Sequence, residues 1–570
     1  MEIPVRKKRT FLTETFLPDS WDSIAPYCAN LLERKIESLS NLQQWLQDWN
    51  ELGAVISEHS RWVYVRTTID TTDEKAKAEL IKLYVDIQPK LTVENNKLEQ
   101  KLVASPFIEQ LDKDKFFTTI RKIKNSLSLF REENIPLLSQ IQLKQNEYDT
   151  VIGAQSITYN GIEITMQQAG AFLKSTNRSE REEVFRLMNE RRKKDGDKLD
   201  QLMSDLIQLR HQQALNAGFK SYVEYRFADL DRFDYTPADC KQFHEASAEV
   251  IMPTINELSL AKQKAFGYAE FKPWDKEADP YNRQPLRPCE NSTELVEKTI
   301  ACFDLLDPYF KRCLEIMRSM NYLDLDSRMG KGPGGYNMTM PEIGVPFIFM
   351  NSANSEHDLI TMVHEGGHAI HTFLAHELEL NMFKDTTSEI AEVASMGMEL
   401  MSMEHWNVFY KNADDLRRAK VNHLQHILTV LTKTCMGDSF QFWLYENPNH
   451  TVAERRQKWA ELHRKYSASN INWSGYDDAF ETSYHSILHF FVVPFYYIEY
   501  AFAQLGAIAL WRNFKLNRAK AINDYKNALK LGYTKPIPVF YETAGAKFDF
   551  SKQYVAELVG FLKEELAKLN

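Results

Sequence analysis

The chain has 570 residues, of which 44% are hydrophobic and 26% charged, and its formal net charge is −10. That composition excludes wholesale disorder, and the acidic balance argues against a nucleic-acid binder or a protein docked on anionic membrane. The 21 glycines and 20 prolines are few for this length, and the many Leu, Glu, Lys, Gln and Ala residues predict a mostly all-α protein, either three domains or one large bilobed body.

The basic tetrad Arg6-Lys7-Lys8-Arg9 is followed by Thr10-Phe11-Leu12-Thr13-Glu14. No apolar run succeeds it, so no export signal is expected and the tetrad reads as a solvated tail. Residues 20–150 read as long amphipathic helices over 21–52 and 74–102, separated by the capping residues Asp70-Thr71-Thr72-Asp73. At 156–165 the period switches to two around Asn160-Gly161, a strong hairpin signal. The hairpin is expected to divide an N-terminal helical region, 1–165, from the remainder, 166–570.

Residues 168–263 are again helical, with Thr236-Pro237-Ala238-Asp239 a helix start. The stretch 266–292 is rich in Pro, Tyr and Asn and reads as a surface loop, lid or linker. Gly330 to Asn337 packs four glycines into eight positions but fails as a phosphate-binding loop, because no G-K-[ST] closes it. The apolar segment 345–351 follows as a short strand. Beyond it the pattern is helical, with a capping box at Thr451 and Glu454. The greasiest stretch, 490–511, carries Pro494, Glu499 and Gln504. A central carboxylate costs about 2.5–3.5 kcal/mol in a bilayer, so a buried core helix is expected rather than a membrane span. The six cysteines contain no C-x-x-C pair and read as reduced core thiols of a cytoplasmic protein.

The segment with chemical content is Val363-His364-Glu365-Gly366-Gly367-His368. On a helix, His364 and His368 share a face and can bind one zinc ion, and Glu365 stands one residue round, placed to accept a proton from water. Two histidines on a polar helix face would be the bland alternative. Chance placement of this H-E-x-x-H pattern is on the order of 0.03 per chain. Gly366-Gly367 costs about 1 kcal/mol per residue against alanine in a helix, which is explained if another backbone or a substrate approaches there. The metzincin arrangement is excluded, since His371 and Leu374 stand where Gly and His would be needed. A third ligand is offered by the acidic run at 387–399, with Glu389, Glu392 and Glu399 near one helix face. The seven-residue spacing of Glu392 and Glu399 lets one ligate while the other supports a ligand from behind. Two His and one Glu leave the open position that a catalytic zinc needs. His371 and His376 read as ordinary channel or surface residues.

H-E-G-G-H followed after 24 residues by E-V-A-S-M-G-M-E resembles the paired motifs of the thimet oligopeptidase and oligoendopeptidase F family of zinc metallopeptidases. The bacterial oligoendopeptidase F branch is the closer match. The likeness extends to Gly330-Lys331-Gly332-Pro333-Gly334-Gly335-Tyr336, to Pro346-Phe347-Ile348-Phe349, to the segment from His489 to Tyr500, and to Gly545-Ala546-Lys547-Phe548-Asp549-Phe550-Ser551. It covers most of the chain from about 165 onward and, more weakly, the N-terminal helices. The resemblance implies a nearly all-helical bilobed body, with a deep central channel, a small β element near the active site, and one Zn2+ per chain on the channel floor. It selects Glu392 over Glu389 as third ligand, with Glu399 behind. It implies that His489, Tyr497 and Tyr500 stabilise the oxyanion. The offset from His489 is one residue shorter than in the thimet branch, which leaves Tyr496 competing with Tyr497. It also implies that the strand 345–351, with Phe347 and Phe349, is an edge that hydrogen-bonds substrate backbone, and that Gly334, Gly335 and Tyr336 form a mobile loop over the channel.

The implied activity is zinc-dependent cleavage of internal bonds in short unstructured peptides, by a monomer or small homo-oligomer. A zinc carboxypeptidase or dipeptidase is the alternative within catalysis, and a metal-free peptide-binding helical scaffold is the alternative outside it. A zinc aminopeptidase is disfavoured, because no G-x-M-E-N sequence is present.

Overall fold

The computed structural model describes residues 2–328, 330–332 and 334–569; Pro333 of the glycine-rich stretch lies outside them. It is 68% helical and 5% strand, as the scarcity of helix breakers predicts. Side-chain chemistry sets the helix ends. The Thr236 side chain caps the backbone of Asp239, whose carboxylate returns a bond to the Thr236 N–H at 2.7 Å. Pro237 fills the first position, and the helix Pro237–Phe266 stops on Gly267 at φ 67°. The same reciprocal box opens Val452–Lys465 at Thr451 and Glu454. The helix expected over 21–52 is two helices, Trp21–Glu33 and Leu39–Ile69, because the Ser38 side chain accepts from Asn41 N and starts a new helix.

Strands β1 (Ser156–Tyr159) and β2 (Ile162–Thr165) form the hairpin, with Asn160 and Gly161 at φ 50° and 77°. Two positive φ values in succession give the turn whose twist matches its strands. Strands β3 (Leu323–Asp326), β4 (Tyr336–Met340) and β5 (Val345–Ser352) form a second sheet in the order β3-β5-β4. β5 runs parallel to β3 and antiparallel to β4, so both of its edges are occupied.

Two hydrophobic cores organise the bilobed body around its channel. One gathers Leu12 through Ile123 and borrows Leu380 and Phe383 from far along the chain. The other runs from Leu129 to Leu566 and takes in Ile141, Tyr148 and Val151, so the helix Asn134–Gly153 packs with the second lobe and the division expected at the hairpin falls before Leu129 instead. The β1–β2 hairpin packs in a small satellite cluster with Ala169, Val184 and Met188.

Arg6, Lys7 and Lys8 of the basic tetrad are exposed, as a solvated tail predicts, but Arg9 is half-buried. Arg9 donates to the Glu342 carboxylate at 2.7 Å and Arg6 at 3.2 Å, which ties the N-terminal arm to the β4–β5 turn. The greasy stretch is interrupted by Pro494 and by Phe495 at φ 66°, and the helix Tyr497–Leu516 then runs through the second core. Its Glu499 is buried and accepts from buried Arg232 at 2.7 Å, which gives the polar residue its structural partner. Among the described residues no helix is long and apolar enough to cross a membrane. All six cysteines are free and buried.

Candidate active site

The H-E-x-x-H sequence lies in the helix Glu356–Ala375, hereafter the motif helix. It crosses the helix Ser388–Met403 at very short range. A Cβ on Gly367 would stand 2.6 Å from both the Ala394 carbonyl oxygen and Ser395 Cα, and one on Gly366 would stand 2.7 Å from the Phe303 ring. The glycine pair is therefore the condition for the crossing, and the crossing brings Glu392 against the two histidines. The Glu392 Oε2 atom lies 3.4 Å from His364 Nε2 and 3.7 Å from His368 Nε2. One donor atom from each of the three residues falls within 4.8 Å of the others.

This set fits a divalent cation in chemistry as well as in distance. His364 Nδ1 donates to Glu399 Oε1 at 2.6 Å, which fixes the ring and turns Nε2 toward the cluster. Burial opposes charge on His364, but hydrogen bonds to Glu392 and Glu399 outweigh it and hold the imidazole well above its usual range. The pocket thus attracts positive charge. Burial likewise opposes charge on Glu392, yet His364, His368 and Ser395 bring its carboxyl down to about 2. Glu392 accepts from Ser395 Oγ at 3.0 Å and from the Tyr496 hydroxyl at 3.1 Å. Glu389 turns away from the histidines, toward the Tyr235 hydroxyl at 2.5 Å.

Glu365 is buried beside this group. Burial, reinforced by the Glu392 and Glu399 carboxylates against the His364 charge, pushes it up to about 7. A carboxyl near neutrality is matched to taking and returning a proton at physiological pH. Its backbone carbonyl accepts from Asn337 Nδ2 at 3.0 Å, which docks β4 along the motif helix. His371 is buried and pushed down to about 3 by burial and by His368.

The aromatic segment supplies three more groups. The His489 ring centroid stands 4.9, 5.8 and 6.1 Å from those of Tyr497, Tyr500 and Tyr496. Tyr496 and Tyr500 meet edge to face at 5.3 Å. Burial first, then the Glu392 charge, raises Tyr500, and that same charge acts on His489. Tyr497 instead packs its ring over Gly437. Of the rival tyrosines, Tyr496 is the one whose hydroxyl reaches Glu392.

Two expectations about the β element are corrected. β5 is a central strand, and Phe347 and Phe349 are buried at 3% and 0% exposure, so the segment 345–351 cannot add a peptide strand. β4 is an outer strand. The glycine loop is also tied down. Gly332 N donates to the Thr68 carbonyl at 2.7 Å, Thr71 N to the Gly330 carbonyl at 2.6 Å, and the Lys331 ammonium to the carbonyls of Asp324, Asp326 and Met350. Gly334 adopts φ 88°, and its carbonyl accepts from Asn351 at 3.0 Å. Gly335 passes tightly over the Phe349 carbonyl, and Tyr336 stacks on the Phe349 ring at 4.9 Å.

With a two-lobed helical body, a His-His-Glu cluster and an adjacent buried carboxyl in place, the arrangement is that of a helical metallopeptidase site. The chain belongs to Peptidase family M3, whose model matches residues 171–560, while that of the Peptidase M3 N-terminal domain matches 11–130. It is 22% identical to an oligoendopeptidase F homolog of Mycoplasma pneumoniae over 503 residues, covering 81% of this chain and 78% of that one. An oligoendopeptidase F homolog of Borreliella burgdorferi is 23% identical over 247 residues; that match covers 42% of this chain and only 41% of the relative. Among solved structures, PZ peptidase A with inhibitor 2 superposes with a TM-score of 0.91 at 25% identity, covering 98% of this chain and 99% of that one. The resemblance read from the sequence is borne out at the level of family and fold.

Proposed function

We propose that the chain is a zinc-dependent oligopeptidase that hydrolyses internal bonds of short unstructured peptides. The observation that carries this reading is the convergence of His364, His368 and Glu392 within 4.8 Å, with buried Glu365 alongside. His364, His368 and Glu392 would hold the zinc, and Glu399 orients His364 through its Nδ1–H. When bound, the metal supplies Lewis acidity, polarising the scissile carbonyl and making water a better nucleophile.

The remaining work belongs to the chain. The Glu365 carboxylate takes a proton from the attacking water and returns it to the leaving amine. His489 and Tyr500 donate to the developing oxyanion, where one well-placed donor is worth about 10²–10³ in rate. Tyr496 holds the Glu392 carboxylate through its hydroxyl. Tyr497 supports the His489 ring by packing. The outer strand β4 offers backbone groups to an extended peptide, with Gly334, Gly335 and Tyr336 forming its approach. Six free thiols support a reducing, cytoplasmic setting.

The test is zinc content by atomic emission, paired with cleavage of an internally quenched peptide of about ten residues, with and without chelator. One zinc per chain and chelator-sensitive internal cleavage are expected. Zinc without internal cleavage would turn the assignment to an exopeptidase, and absence of zinc would overturn it.

A further inference from the structure

Contacts on the two faces of β4 show what each side of that outer strand meets. Strand side chains alternate between faces. Asn337 and Thr339 face the motif helix, where Asn337 donates to the Glu365 carbonyl at 3.0 Å and Thr339 meets the Thr372 hydroxyl at 2.8 Å. Tyr336, Met338 and Met340 face the other way, toward the helix Leu39–Ile69. The Tyr336 hydroxyl meets Thr68 at 2.6 Å, and Met340 packs in a cluster with Val65. Met338, between them, forms part of the wall of a cavity of about 540 Å³.

The rest of that wall comes from the N-terminal lobe. Trp49, Gly53, Ile56 and Ser60 line it from the helix Leu39–Ile69, at the three- and four-residue spacings of a single helix stripe. Tyr84 and Leu91 line it from the helix Gln88–Val103 and the turn before it. Trp49 Nε1 donates to Asn95 at 3.4 Å and bridges the two helices. Glycine weakens a helix interior, yet at Gly53 it keeps the cavity open, since a Cβ there would meet nothing within 4 Å. Tyr64 and Tyr84, both of the wall, leave their rings exposed.

The cavity opens at the free edge of β4. Thr339 pairs with Pro346, which has no N–H to donate. The Thr339 carbonyl accepts instead from Arg61, which also lines the cavity. The Thr339 backbone groups therefore point away from β5, and by the alternation of an antiparallel ladder those of Asn337 do too. A peptide strand added at this edge carries the side chain opposite Met338 on Met338's own face. That side chain enters the cavity, while the peptide backbone stays beside Asn337, which is bonded to Glu365. Trp49, Ile56, Leu91 and Met338 give the cavity an apolar wall, and the two tyrosine rings can flank a planar group. The Arg61 guanidinium at the opening disfavours a cationic side chain.

We propose that this cavity is a specificity subsite for a large apolar side chain, aromatic above all, on the substrate residue that pairs with Met338. The chain would then cut at a fixed number of residues from such a side chain. This inference rests on the peptidase reading and on strand addition to β4.

The experiment uses alanine-rich quenched peptides of about ten residues, with one Phe moved through successive positions and cut sites read by mass spectrometry. The cut should follow the Phe at a constant offset, with kcat/KM about tenfold or more above that of the Phe-free peptide. Gly53→Leu fills the cavity and should bring that ratio to near one. Tyr84→Ser removes an exposed flanking ring and should lower it about threefold. Cuts that ignore the position of Phe, or a ratio near one at every position, would overturn the subsite. So would a Phe preference that survives Gly53→Leu or, should that variant not fold, Tyr84→Ser. A preference for Glu over Phe, abolished in Arg61→Met, would overturn the apolar assignment in favour of the guanidinium. Calorimetric binding of the same peptides to the full chain separates this from failure of the peptidase reading. Should no peptide be cleaved, tighter binding of the Phe peptides that is lost in Gly53→Leu still supports the subsite, and equal binding refutes it.

Discussion

Replacing Glu399 tests whether the His364–Glu399 contact tunes the metal site. The contact is 2.6 Å long, nearly buried and charge-assisted, and it aligns the ring whose other nitrogen faces Glu392. Glu399→Gln keeps the shape and an acceptor but removes the charge, and Glu399→Ala removes both. Support of this kind behind a ligating histidine is typically worth about 10–100-fold in metal affinity, or ~1.4–2.7 kcal/mol. We expect zinc binding, measured by competition with a chromophoric chelator, to weaken about tenfold in Glu399→Gln and toward a hundredfold in Glu399→Ala. His423, on the far oxygen at 3.5 Å, is too distant for a strong hydrogen bond, so His423→Phe should change affinity about threefold or less. Glu399→Ala with unaltered zinc affinity and an intact near-ultraviolet dichroism spectrum would refute the reasoning.

Glu365→Gln should retain zinc while kcat falls by about 10²–10⁴; full activity in that variant would remove Glu365 from the mechanism. Gly367→Ala should destabilise by about 1–3 kcal/mol, because its methyl meets backbone of the crossing helix. Gly53→Ala meets nothing within 4 Å in the middle of a helix and should stabilise by up to about 1 kcal/mol; thermal unfolding of the two variants checks the contrast. Asp200 is held at about 2, because hydrogen bonds from His485, Tyr484 and Arg456 overcome its burial. Its folded value lies below that of the unfolded chain. The stabilisation, on the order of 2 kcal/mol, is therefore complete above pH ~4 and is lost as pH falls toward 2. Denaturant titrations across that range should show a shallower acid dependence in Asp200→Asn.

The His-His-Glu cluster was legible in part because local helix geometry pairs its groups, while the choice of Glu392 over Glu389 came from the family resemblance. The four-residue spacing of His364 and His368 and the seven-residue spacing of Glu392 and Glu399 each place two groups on one face, and the glycine pair announces the crossing that joins them. The tyrosines were not legible in the same way. Pro494 and the left-handed Phe495 reset the chain before the helix begins at Tyr497, so counting from His489 does not tell which hydroxyl reaches Glu392. The edge of the small sheet was hidden because β3, some twenty residues earlier, supplies a tertiary partner that covers one side of β5. The anchoring of the glycine loop depends on Lys331 reaching carbonyls on β3 and β5, and nothing in its neighbours signals that reach.

The β4–β5 hairpin hangs from both lobes. On one side Asn337 and Thr339 bond the motif helix through Glu365 and Thr372. On the other, the Tyr336 hydroxyl meets Thr68 at 2.6 Å, Arg61 bonds the Thr339 carbonyl at 2.5 Å, and Glu58 accepts from the backbone of Glu342 and Ile343. The catalytic lobe is accordingly not a portable module. Expressed alone as 129–570, the span of the second core, it would carry a hairpin stripped of half its partners, and supplying 1–128 as a separate fragment should restore activity by complementation.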